Sequence, residues 1–318
     1  MRLLYLNHNV AYTGTFFRAF NVGREMVARG HQVTLVTTRR RGLACVTGVQ
    51  TCALPISRWP VAARRQVVDG VEMIQAPDLL WGPGRTGWDP WNTLRRIGLL
   101  KDRAFDIVHA FDSRPAVVLP ALAVRRRTGA ALFMDWADWW GRGGWIEDRS
   151  GWFVRTFFGP IETWFEETFR LEAVGSTVIS SALQRRLVGL GVDDASVLKV
   201  PNGCDLAIEP GDRAAARRSL GLSDEPVAVH IGIVTPGDLR LLTDAMRRVR
   251  ARLPRAKLIL VGNVRPRVPE DLEAEGAVVR TGFVTFEVLK KWLAAADIGV
   301  VPMRDSLGNR GRWPGKIN

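Results

Sequence analysis

The chain has 318 residues, enough for two domains of roughly 100–200 residues each, and a formal net charge of +13. Its 47% hydrophobic and 24% charged residues are ordinary for a folded globular protein and exclude a disordered chain. The sequence contains no apolar run of about 18 residues that could span a membrane, and three cysteines exclude a disulfide framework. The first residues are too polar for a signal peptide, so we expect a cytoplasmic protein.

Arginine supplies most of the positive charge, and several arginines cluster on one predicted helix between residues 239 and 255. They alternate with leucine, methionine and valine, which is typical of an amphipathic helix with a solvated basic face. A nucleic-acid-binding protein would add a zinc-finger, basic-zipper or aromatic RNA-binding motif, and the sequence contains none of these. We therefore predict no nucleic-acid partner. Strong, salt-dependent binding to random duplex DNA would contradict this prediction.

Short apolar runs alternate with longer segments of helical periodicity along the chain. The predicted strands are Arg2–Leu6, Gln32–Val36, Val71–Gln75, Asp106–Ala110, Ala130–Met134, Ser176–Ile179, Val197–Val200, Val227–Ile231, Lys257–Val261, Ala277–Arg280 and Ile298–Val301. The predicted helices are Phe16–Ala28, Pro115–Arg127, Leu183–Leu190, Asp212–Leu220, Leu239–Leu253 and Phe286–Ala295. This alternation predicts an α/β fold with parallel sheets covered by helices on both faces. Ligands bind such sheets at the carboxyl ends of the strands, so the loops there are the first candidates for function.

Three of those loops carry residues suited to ligand binding. The loop after the first strand contains Gly14 at the start of a helix, where backbone N–H groups can hold an anion. It lacks the G-x-G-x-x-G pattern and does not predict a dinucleotide site. His109 lies at the end of its strand, and Asp135 and Asp138 follow the next strand. We predict that His109, Asp135 and Asp138 are the candidate catalytic residues at this edge of the sheet.

Residues 135–140 and residues 152–169 are rich in aromatic side chains. Asp135 and Asp138 share their loop with Trp136, Trp139 and Trp140. Carboxylates bind sugar hydroxyls and aromatic rings stack on sugar C–H faces, so one interpretation is a sugar-contacting loop that faces a cleft. The other is a loop whose tryptophans cover the core, and the sequence leaves both open. Residues 152–169 have the periodicity of an amphipathic helix that packs mainly on the core, with a lipid-facing or acceptor-facing edge as the alternative.

A turn divides the chain near residue 201. The first series of strands is complete by about residue 200, and Pro201 begins a polar stretch that contains Asn202, Gly203 and Asp205. We interpret these last three residues as a hinge. The predicted domains are residues 1–200 and residues 201–318.

Several motifs, taken in order, resemble family 4 glycosyltransferases. They are FFRAFNVGREMVARGHQVTLVTT, FDIVHAF, STVISSAL, VPNGCD, KLILVGN, VVRTGFV, AAADIGVVPM and NRGRWPGK. The resemblance implies the GT-B fold, in which two Rossmann-like domains face each other across a cleft. It also implies transfer of a sugar from a nucleotide-sugar with retention and without a metal or other cofactor. The second domain would bind the donor, and the first would shape the acceptor site.

The chain departs from the family where the donor diphosphate is held. The family has a Gly-Arg pair and a nearby Lys-Gly after the first strand of the donor domain, whereas Gly232 here begins a stretch without a cation up to Asp238. Arg310, Arg312 and Lys316 are the predicted substitutes, because arginine forks match phosphate oxygens and lysine adds a point charge. We expect these three on an untethered tail. The alternative is a basic tail without a ligand.

Two further departures affect the ends of the resemblance. The family continues beyond the position of Lys316 with an acidic donor ligand and further elements, so we expect an incomplete second domain and no sugar transfer by these 318 residues alone. The segment Val46–Ile56 can be encoded by codons that resemble a sequencing adapter, and we interpret it as an assembly artefact. Its neighbour Cys45 and its own Cys52 lack the spacing and the further ligands of a metal site, so we predict no metal there.

The resemblance leads to two functional hypotheses. The first is a retaining glycosyltransferase that moves a sugar to an envelope or exopolysaccharide acceptor, either a glycan or a lipid-linked molecule. The second is a non-catalytic sugar-nucleotide or glycan-binding protein on the same scaffold. A basic, aromatic-rich first domain also suits peripheral contact with an anionic membrane at the inner face of the cell membrane.

Overall fold

The computed structural model describes residues 1–39, 62–79, 86–149, 151–204 and 211–315. The adapter-like segment with Cys45 and Cys52, the hinge residue Asp205 and the predicted phosphate ligand Lys316 lie outside these ranges. The described chain divides into two compact units. The first contains the residues up to Asn202 together with Asp305–Trp313, and the second contains Gly203–Arg304 and residues 314–315. The boundary lies two residues after the predicted one, and Asp305–Trp313 belongs to the first unit instead of the second.

The described part of the first unit contains an eight-stranded sheet with the order β3-β4-β2-β1-β5-β6-β7-β8. The strands are β1 (Arg2–Val10), β2 (Gln32–Thr38), β3 (Arg64–Val68), β4 (Val71–Ala76), β5 (Ile107–Phe111), β6 (Ala131–Trp136), β7 (Gly175–Val178) and β8 (Val197–Lys199). The helices are α1 (Phe16–Ala28), α2 (Pro90–Leu100), α3 (Pro115–Thr128), α4 (Trp145–Arg149), α5 (Trp152–Phe157), α6 (Gly159–Thr168) and α7 (Ser181–Gly189). Short 3₁₀ helices span Phe169–Glu172 and Asp194–Ser196. Every strand pair is parallel except β3–β4.

Apolar side chains cover both faces of this sheet. On one face α1 packs Phe16 and Phe20 against Tyr5 and Leu35 of β1 and β2. On the other face α2 and α3 contribute to a second cluster with the remaining side chains of the central strands. The carboxyl ends of β1, β5 and β6 are therefore the places where this unit can offer polar groups to a ligand.

The described part of the second unit contains a four-stranded parallel sheet with the order β11-β10-β9-β12. Its elements are α8 (Arg213–Ser219), β9 (Val227–Ile231), α9 (Pro236–Arg250), β10 (Lys257–Val261), α10 (Glu270–Ala274), β11 (Val278–Gly282), α11 (Phe286–Ala295) and β12 (Ile298–Gly299). Side chains of α9 and α10 pack on one face and side chains of α11 on the other. The short helix α12 (Leu307–Arg310) belongs to the first unit.

The predicted parallel α/β architecture is confirmed, but strand β3 and helices α2, α4, α10 and α12 were missed. Helices α4, α10 and α12 have only four or five residues each. Strand β3 is short, polar and at the sheet edge, so it has no apolar run. Helix α2 buries Asn92, Thr93 and Arg96 together with Leu100, so its inward face is largely polar and gives no hydrophobic period. Across the described ranges, no helix is both long and apolar enough to cross a bilayer.

Candidate functional site

A buried ion pair stands at the carboxyl end of β6. Asp135 is 1% exposed, and Arg18 of α1 donates from Nε to its Oδ2 at 2.9 Å and from Nη2 to its Oδ1 at 2.8 Å. The hydroxyl of Thr177, in β7, also donates to Asp135. These donors engage both carboxylate oxygens, so Asp135 and Arg18 fix each other's position. The catalytic role predicted for Asp135 stays a prediction.

His109 is joined to this pair through Thr177. Its Nε2 lies 3.2 Å from the Thr177 hydroxyl, and its ring lies 4.3 Å from that of Phe111. A threonine hydroxyl has one hydrogen, which Thr177 gives to Asp135, so His109 Nε2 carries a proton and donates it. Burial lowers the pKa of His109 to about 4, which keeps the ring neutral at neutral pH. The structure therefore brings His109 and Asp135 together in one hydrogen-bonded chain.

The second predicted aspartate and the tryptophan loop are placed differently. Asp138 is half-buried, and its backbone carbonyl accepts a hydrogen bond from Trp136 Nε1 at 2.9 Å. Trp136 is 1% exposed and Trp139 is 6% exposed, and both belong to the core cluster under β7 and α7. The sugar-contacting interpretation is wrong for these two rings, because each lies inside the fold. Trp140 is half-buried under the Arg114 guanidinium, 4.7 Å from its ring centre.

Glu166 of α6 holds this loop in place. Its carboxylate accepts hydrogen bonds from the backbone N–H groups of Trp140 and Gly141 at 2.8 and 2.7 Å and from Trp136 Nε1 at 3.1 Å. Burial raises the pKa of Glu166 to about 7, although Arg170 and the two backbone donors act in the opposite direction. The loop shape is thus set by a buried carboxylate that sequence reasoning did not identify.

A narrow crevice with no room for a water molecule lies beside these groups. Asp112, Asp135, Asp138 and Arg170 line it together with Thr15 at the start of α1. Asp112 has a φ of +95°, a conformation that costs an aspartate roughly 1–3 kcal/mol. Strained residues of this kind cluster at functional sites, so the sheet edge beside Asp112 is the candidate for ligand contact in the first unit.

Asp112 is also paired with a buried histidine. His8 Nδ1 lies 3.1 Å from Asp112 Oδ2, and the two side chains are 3% and 8% exposed. Burial lowers the pKa of His8 to about 3. Burial also opposes the charge on Asp112, but His8, Arg114 and the Ser113 amide together lower its pKa. The pair therefore consists of a neutral imidazole and a carboxylate at neutral pH.

Gly14 lies in the loop between β1 and α1, as predicted, with a φ of +55°. A Cβ at this position would lie 2.6 Å from Asn9 Nδ2. The Asn9 side chain accepts a hydrogen bond from the hydroxyl of the N-cap residue Thr15. The conformation and the contacts of Gly14 both require glycine. Its predicted role in holding an anion stays a prediction.

Replacing Gly14 with alanine is expected to lower the free energy of unfolding by about 2–4 kcal/mol, combining backbone strain with displacement of Asn9. The measurement is urea unfolding of the purified chain. Gly129→Ala is the matched control, since Gly129 has a φ of +71° but no atom within 4 Å of its Cβ position. It should cost only the strain, about 1–2 kcal/mol. Equal losses in the two variants would show that the Asn9 contact is unimportant.

Two of the three predicted hinge residues, Asn202 and Gly203, lie at the boundary between the units. Asn202 belongs to the first unit, where its Nδ2 donates to the Trp313 carbonyl at 2.9 Å and its Oδ1 lies 3.3 Å from Arg18 Nη1. Gly203 is the first residue of the second unit. The position of Gly203 fits the predicted hinge, whereas Asn202 is an anchor within the first unit.

The predicted phosphate-binding arginines are not on an untethered tail. Arg310 Nε and Nη2 donate to the carboxylate of Asp305 at 2.7 and 2.8 Å. Arg312 lies 4.9 Å from the ring centre of Trp145 and donates to Asn309 Oδ1. Their segment packs within the first unit, whereas Gly232 belongs to the second. The expectation of a disordered basic tail is therefore wrong for these two residues, and their donor-binding role stays a prediction.

In the second unit, glycines bring two loops together at the carboxyl ends of β9 and β10. Gly232 has a φ of +122° and Gly262 one of +123°. A Cβ at Gly262 would lie 2.4 Å from the Gly232 carbonyl oxygen, so the two backbones approach as closely as they can. The loop after Gly232 leads into α9, whose first turn is closed by a capping box between Thr235 and Asp238.

Arg304 is a cation near that loop which sequence reasoning missed. Its guanidinium lies 3.7–3.8 Å from the Cβ position of Gly237, in the first turn of α9. The family motif has its cations within the loop itself, whereas Arg304 comes from the segment after β12. Arg18 was missed for a similar reason, because α1 was treated as a covering helix. A charged residue in the first turn after a predicted anion-binding loop was the available signal.

An open pocket of about 560 Å³ lies beside β11 in the second unit. It reaches the loops after β10 and β11, including Asn263 and Phe283, and Arg280 lines it in an ion pair with Glu273. Pockets of 300–1,000 Å³ are the usual size for small-molecule ligands. This pocket is the best candidate for ligand binding in the second unit.

Family models match most of the chain. The glycosyl transferase 4-like domain matches residues 13–203, and the glycosyl transferases group 1 domain matches residues 225–317. The chain belongs to the glycosyl transferase 4-like family. No curated protein matches the sequence.

Solved structures show the same fold. Sucrose-phosphate synthase from Thermosynechococcus elongatus is 16% identical, over 96% of this chain and 77% of its own, with a TM-score of 0.64. The catalytic domain of starch synthase IV from Arabidopsis thaliana, bound to ADP and acarbose, is 13% identical over 96% and 79%, with a TM-score of 0.64. HepE from Anabaena, in complex with UDP-glucose, is 14% identical over 94% and 73%, with a TM-score of 0.59. The predicted GT-B fold class is confirmed.

Proposed function

We propose that this glycosyltransferase moves a hexosyl group, with retention, from a nucleotide-sugar to an envelope or exopolysaccharide acceptor, without a cofactor. Family membership supports sugar transfer, and solved relatives hold UDP-glucose or ADP. The observation that carries the choice of donor is the 560 Å³ pocket beside β11. It reaches the loops at the carboxyl ends of β10 and β11, and ligands of parallel α/β sheets bind outside the carboxyl ends of strands.

The pocket offers the contacts that a nucleotide needs. Phe283 is 76% exposed and provides a ring on which a base can stack. Arg280 can bind ribose or phosphate oxygens, and Glu273 holds its guanidinium in place. Gly282, at the end of β11, is exposed and leaves its backbone accessible to a ligand.

The departing diphosphate needs positive charge. As the bond from the sugar to the diphosphate breaks, negative charge grows on the phosphate oxygens, and fixed cations lower the barrier. Asp238 occupies the start of α9 with its own carboxylate, so that helix end is not a ready phosphate site. Arg304, above Gly237, is the proposed cation of the second unit. The donor contacts predicted from the sequence, Arg310, Arg312 and Lys316, stay predictions.

The acceptor is assigned to the surface beside the crevice of the first unit, because the crevice itself has no room for a sugar. Asp138, which lines the crevice and is half-buried, is the proposed contact for an acceptor hydroxyl. His109 and Asp135 act behind it, because their polar atoms are engaged with Thr177 and Arg18. Both are therefore positioning residues in this proposal.

A non-catalytic sugar-nucleotide or glycan-binding protein is the second candidate. It is favoured by the stretch from Gly232 to Asp238, which contains no cation and has an acidic cap at α9. A panel of nucleotide-sugars separates the two functions. Donor binding by calorimetry with neither hydrolysis nor transfer by the natural gene product would support the binding protein.

Changing Arg304 to glutamine is expected to lower kcat for transfer by about 10²–10³-fold, since it removes charge from the leaving diphosphate. The assay uses the natural gene product that contains these residues and measures release of the nucleoside diphosphate. Arg248→Gln is the matched control, because Arg248 is an exposed arginine near the other end of α9. Equal activity in both variants would remove Arg304 from the proposal, and Lys316→Ala would then test the next cation.

A further inference from the structure

Helix α6 has its polar side inward and its apolar side outward. It buries Gly159, Thr163 and Glu166, whereas Ile161 is 45% and Trp164 is 52% exposed. A helix on the surface of a soluble domain normally has the reverse arrangement. Packing on the core of this unit therefore does not explain why the outward residues Ile161 and Trp164 are apolar.

The inward face of α6 is fixed by polar contacts. Glu166 accepts the loop N–H groups described above, and Thr163 Oγ1 accepts a hydrogen bond from the Arg142 backbone at 2.9 Å. Arg170, which follows α6, donates to the Glu166 carbonyl and lies over Trp136. Rotating the helix to bury Trp164 would break these buried bonds, each worth about 1–3 kcal/mol. The exposure of Ile161 and Trp164 is therefore built into the fold.

The preceding helix also exposes aromatic side chains. Helix α5 has no buried residue, and Trp152, Phe153 and Phe157 are 69%, 53% and 54% exposed. The ring of Phe153 contacts those of Trp152 and Phe157 at centre distances of 5.9 and 4.6 Å. We name Trp152, Phe153, Phe157, Ile161 and Trp164 the aromatic face. The sequence prediction that this segment packs mainly on the core is wrong for these five residues.

The charges beside the aromatic face favour an anionic partner. Three acids of the segment are each neutralised by an arginine from another element: Glu162 by Arg114, Glu167 by Arg186 and Glu172 by Arg125. Arg155 projects from α5 itself, and Arg142 lies next to α6; both are exposed. Among the described residues, neither of these two arginines forms an ion pair, whereas Glu147 is an exposed acid on α4. The chain as a whole carries +13.

We propose that the aromatic face docks on the surface of an anionic lipid bilayer. Tryptophan and phenylalanine partition into the interfacial region of a bilayer, and nearby arginines bind lipid phosphates. A helix with no buried residue does not present a preshaped protein interface, but it can insert its rings among lipid headgroups. This contact is independent of the proposed function, because it requires no donor and no turnover.

The test is co-sedimentation of the purified chain with vesicles that contain about one third phosphatidylglycerol or phosphatidylcholine alone. We expect binding to the anionic vesicles that weakens as salt is raised, and little binding to neutral ones. Trp152→Ser/Phe153→Ser should lower the partition coefficient by at least about tenfold, and Trp164→Ser by several-fold. Val67→Ser is the matched control, since Val67 is 70% exposed on β3, away from this face.

Two results would overturn the proposal. One is equal vesicle binding by the double variant and the wild type, with circular dichroism showing that both are folded. The other is absence of vesicle binding together with a concentration-dependent dimer that the same substitutions dissociate. That second result would make the aromatic face an interface between two copies of the chain.

Discussion

Replacing Arg18 with methionine is expected to lower the free energy of unfolding by about 3–5 kcal/mol, the usual cost of removing one partner from a buried ion pair. Asp135 is 1% exposed, and its carboxylate receives both Arg18 donors. Without Arg18 that negative charge stays buried with the Thr177 hydroxyl as its remaining side-chain donor among the described contacts. Methionine keeps most of the side-chain volume, so the loss reports the charge and not a cavity. The measurement is urea unfolding at pH 7.

Arg24→Met on the same helix is the matched control. Its partner Asp69 lies 3.5 Å away, and the two side chains are 43% and 57% exposed, so solvent screens the pair. This variant should change stability by less than about 1 kcal/mol. Adding Asp135→Asn to Arg18→Met should restore part of the loss, because the uncompensated charge is removed. A loss below about 1 kcal/mol for Arg18→Met would show that Asp135 is not held as an ion in the fold.

The Arg18–Asp135 pair illustrates what could be predicted from the sequence. The rule that ligands gather at the carboxyl ends of parallel strands identified His109 and Asp135, and the structure links these two through Thr177. The rule could not select Arg18, because the residue that meets Asp135 depends on how α1 lies across the sheet. The predicted catalytic role of Asp135 rests on its position at a strand end and stays a prediction, whereas the structure shows three side-chain donors on its carboxylate.

Hydrophobic period predicted the parallel strands well because each is a short apolar run between turns. It failed for α2 and for the orientation of α6, where the buried faces are polar. Arg96 of α2, fully buried, donates to the carbonyls of Asn7 and Ala116 at 2.8 and 3.1 Å. Glu166 likewise fixes the tryptophan loop, by accepting hydrogen bonds from its backbone N–H groups. A sequence pattern records only whether each residue is apolar or polar. It cannot distinguish a buried polar side chain that hydrogen-bonds to a loop backbone from a polar side chain on the surface.

Trp139 shows the opposite error. An aromatic residue beside aspartates at a strand end suggested sugar contact, but its ring packs in the core and its Nε1 donates to the Arg142 carbonyl at 2.9 Å. A tryptophan ring is large enough to reach the core from a loop, and only the fold shows in which direction the loop turns. The sequence had left both interpretations open for this reason.

Replacing His8 with asparagine is expected to make stability less sensitive to acid between about pH 6.5 and pH 4.5. Burial lowers the pKa of His8 from 6.5 to about 3 in the folded protein, so the unfolded chain binds a proton in this range and the folded chain does not. The stability that the neutral ring contributes is therefore fully present above pH 6.5 and is lost as the pH falls. The loss has a limiting slope of about 1.4 kcal/mol per pH unit, which the variant should lack. The measurement is urea unfolding at several pH values in this range.

Other buried groups titrate in the same range, so the comparison is made as a difference between variant and wild type. His109, whose pKa burial lowers to about 4, loses stability with acid in the same direction as His8. Glu166, whose pKa burial raises to about 7, acts with the opposite sign, because its folded form takes up a proton first. Both groups are present in the two proteins and cancel. If His8→Asn keeps the wild-type slope, His8 must take up its proton in the folded state and bind Asp112 as a cation.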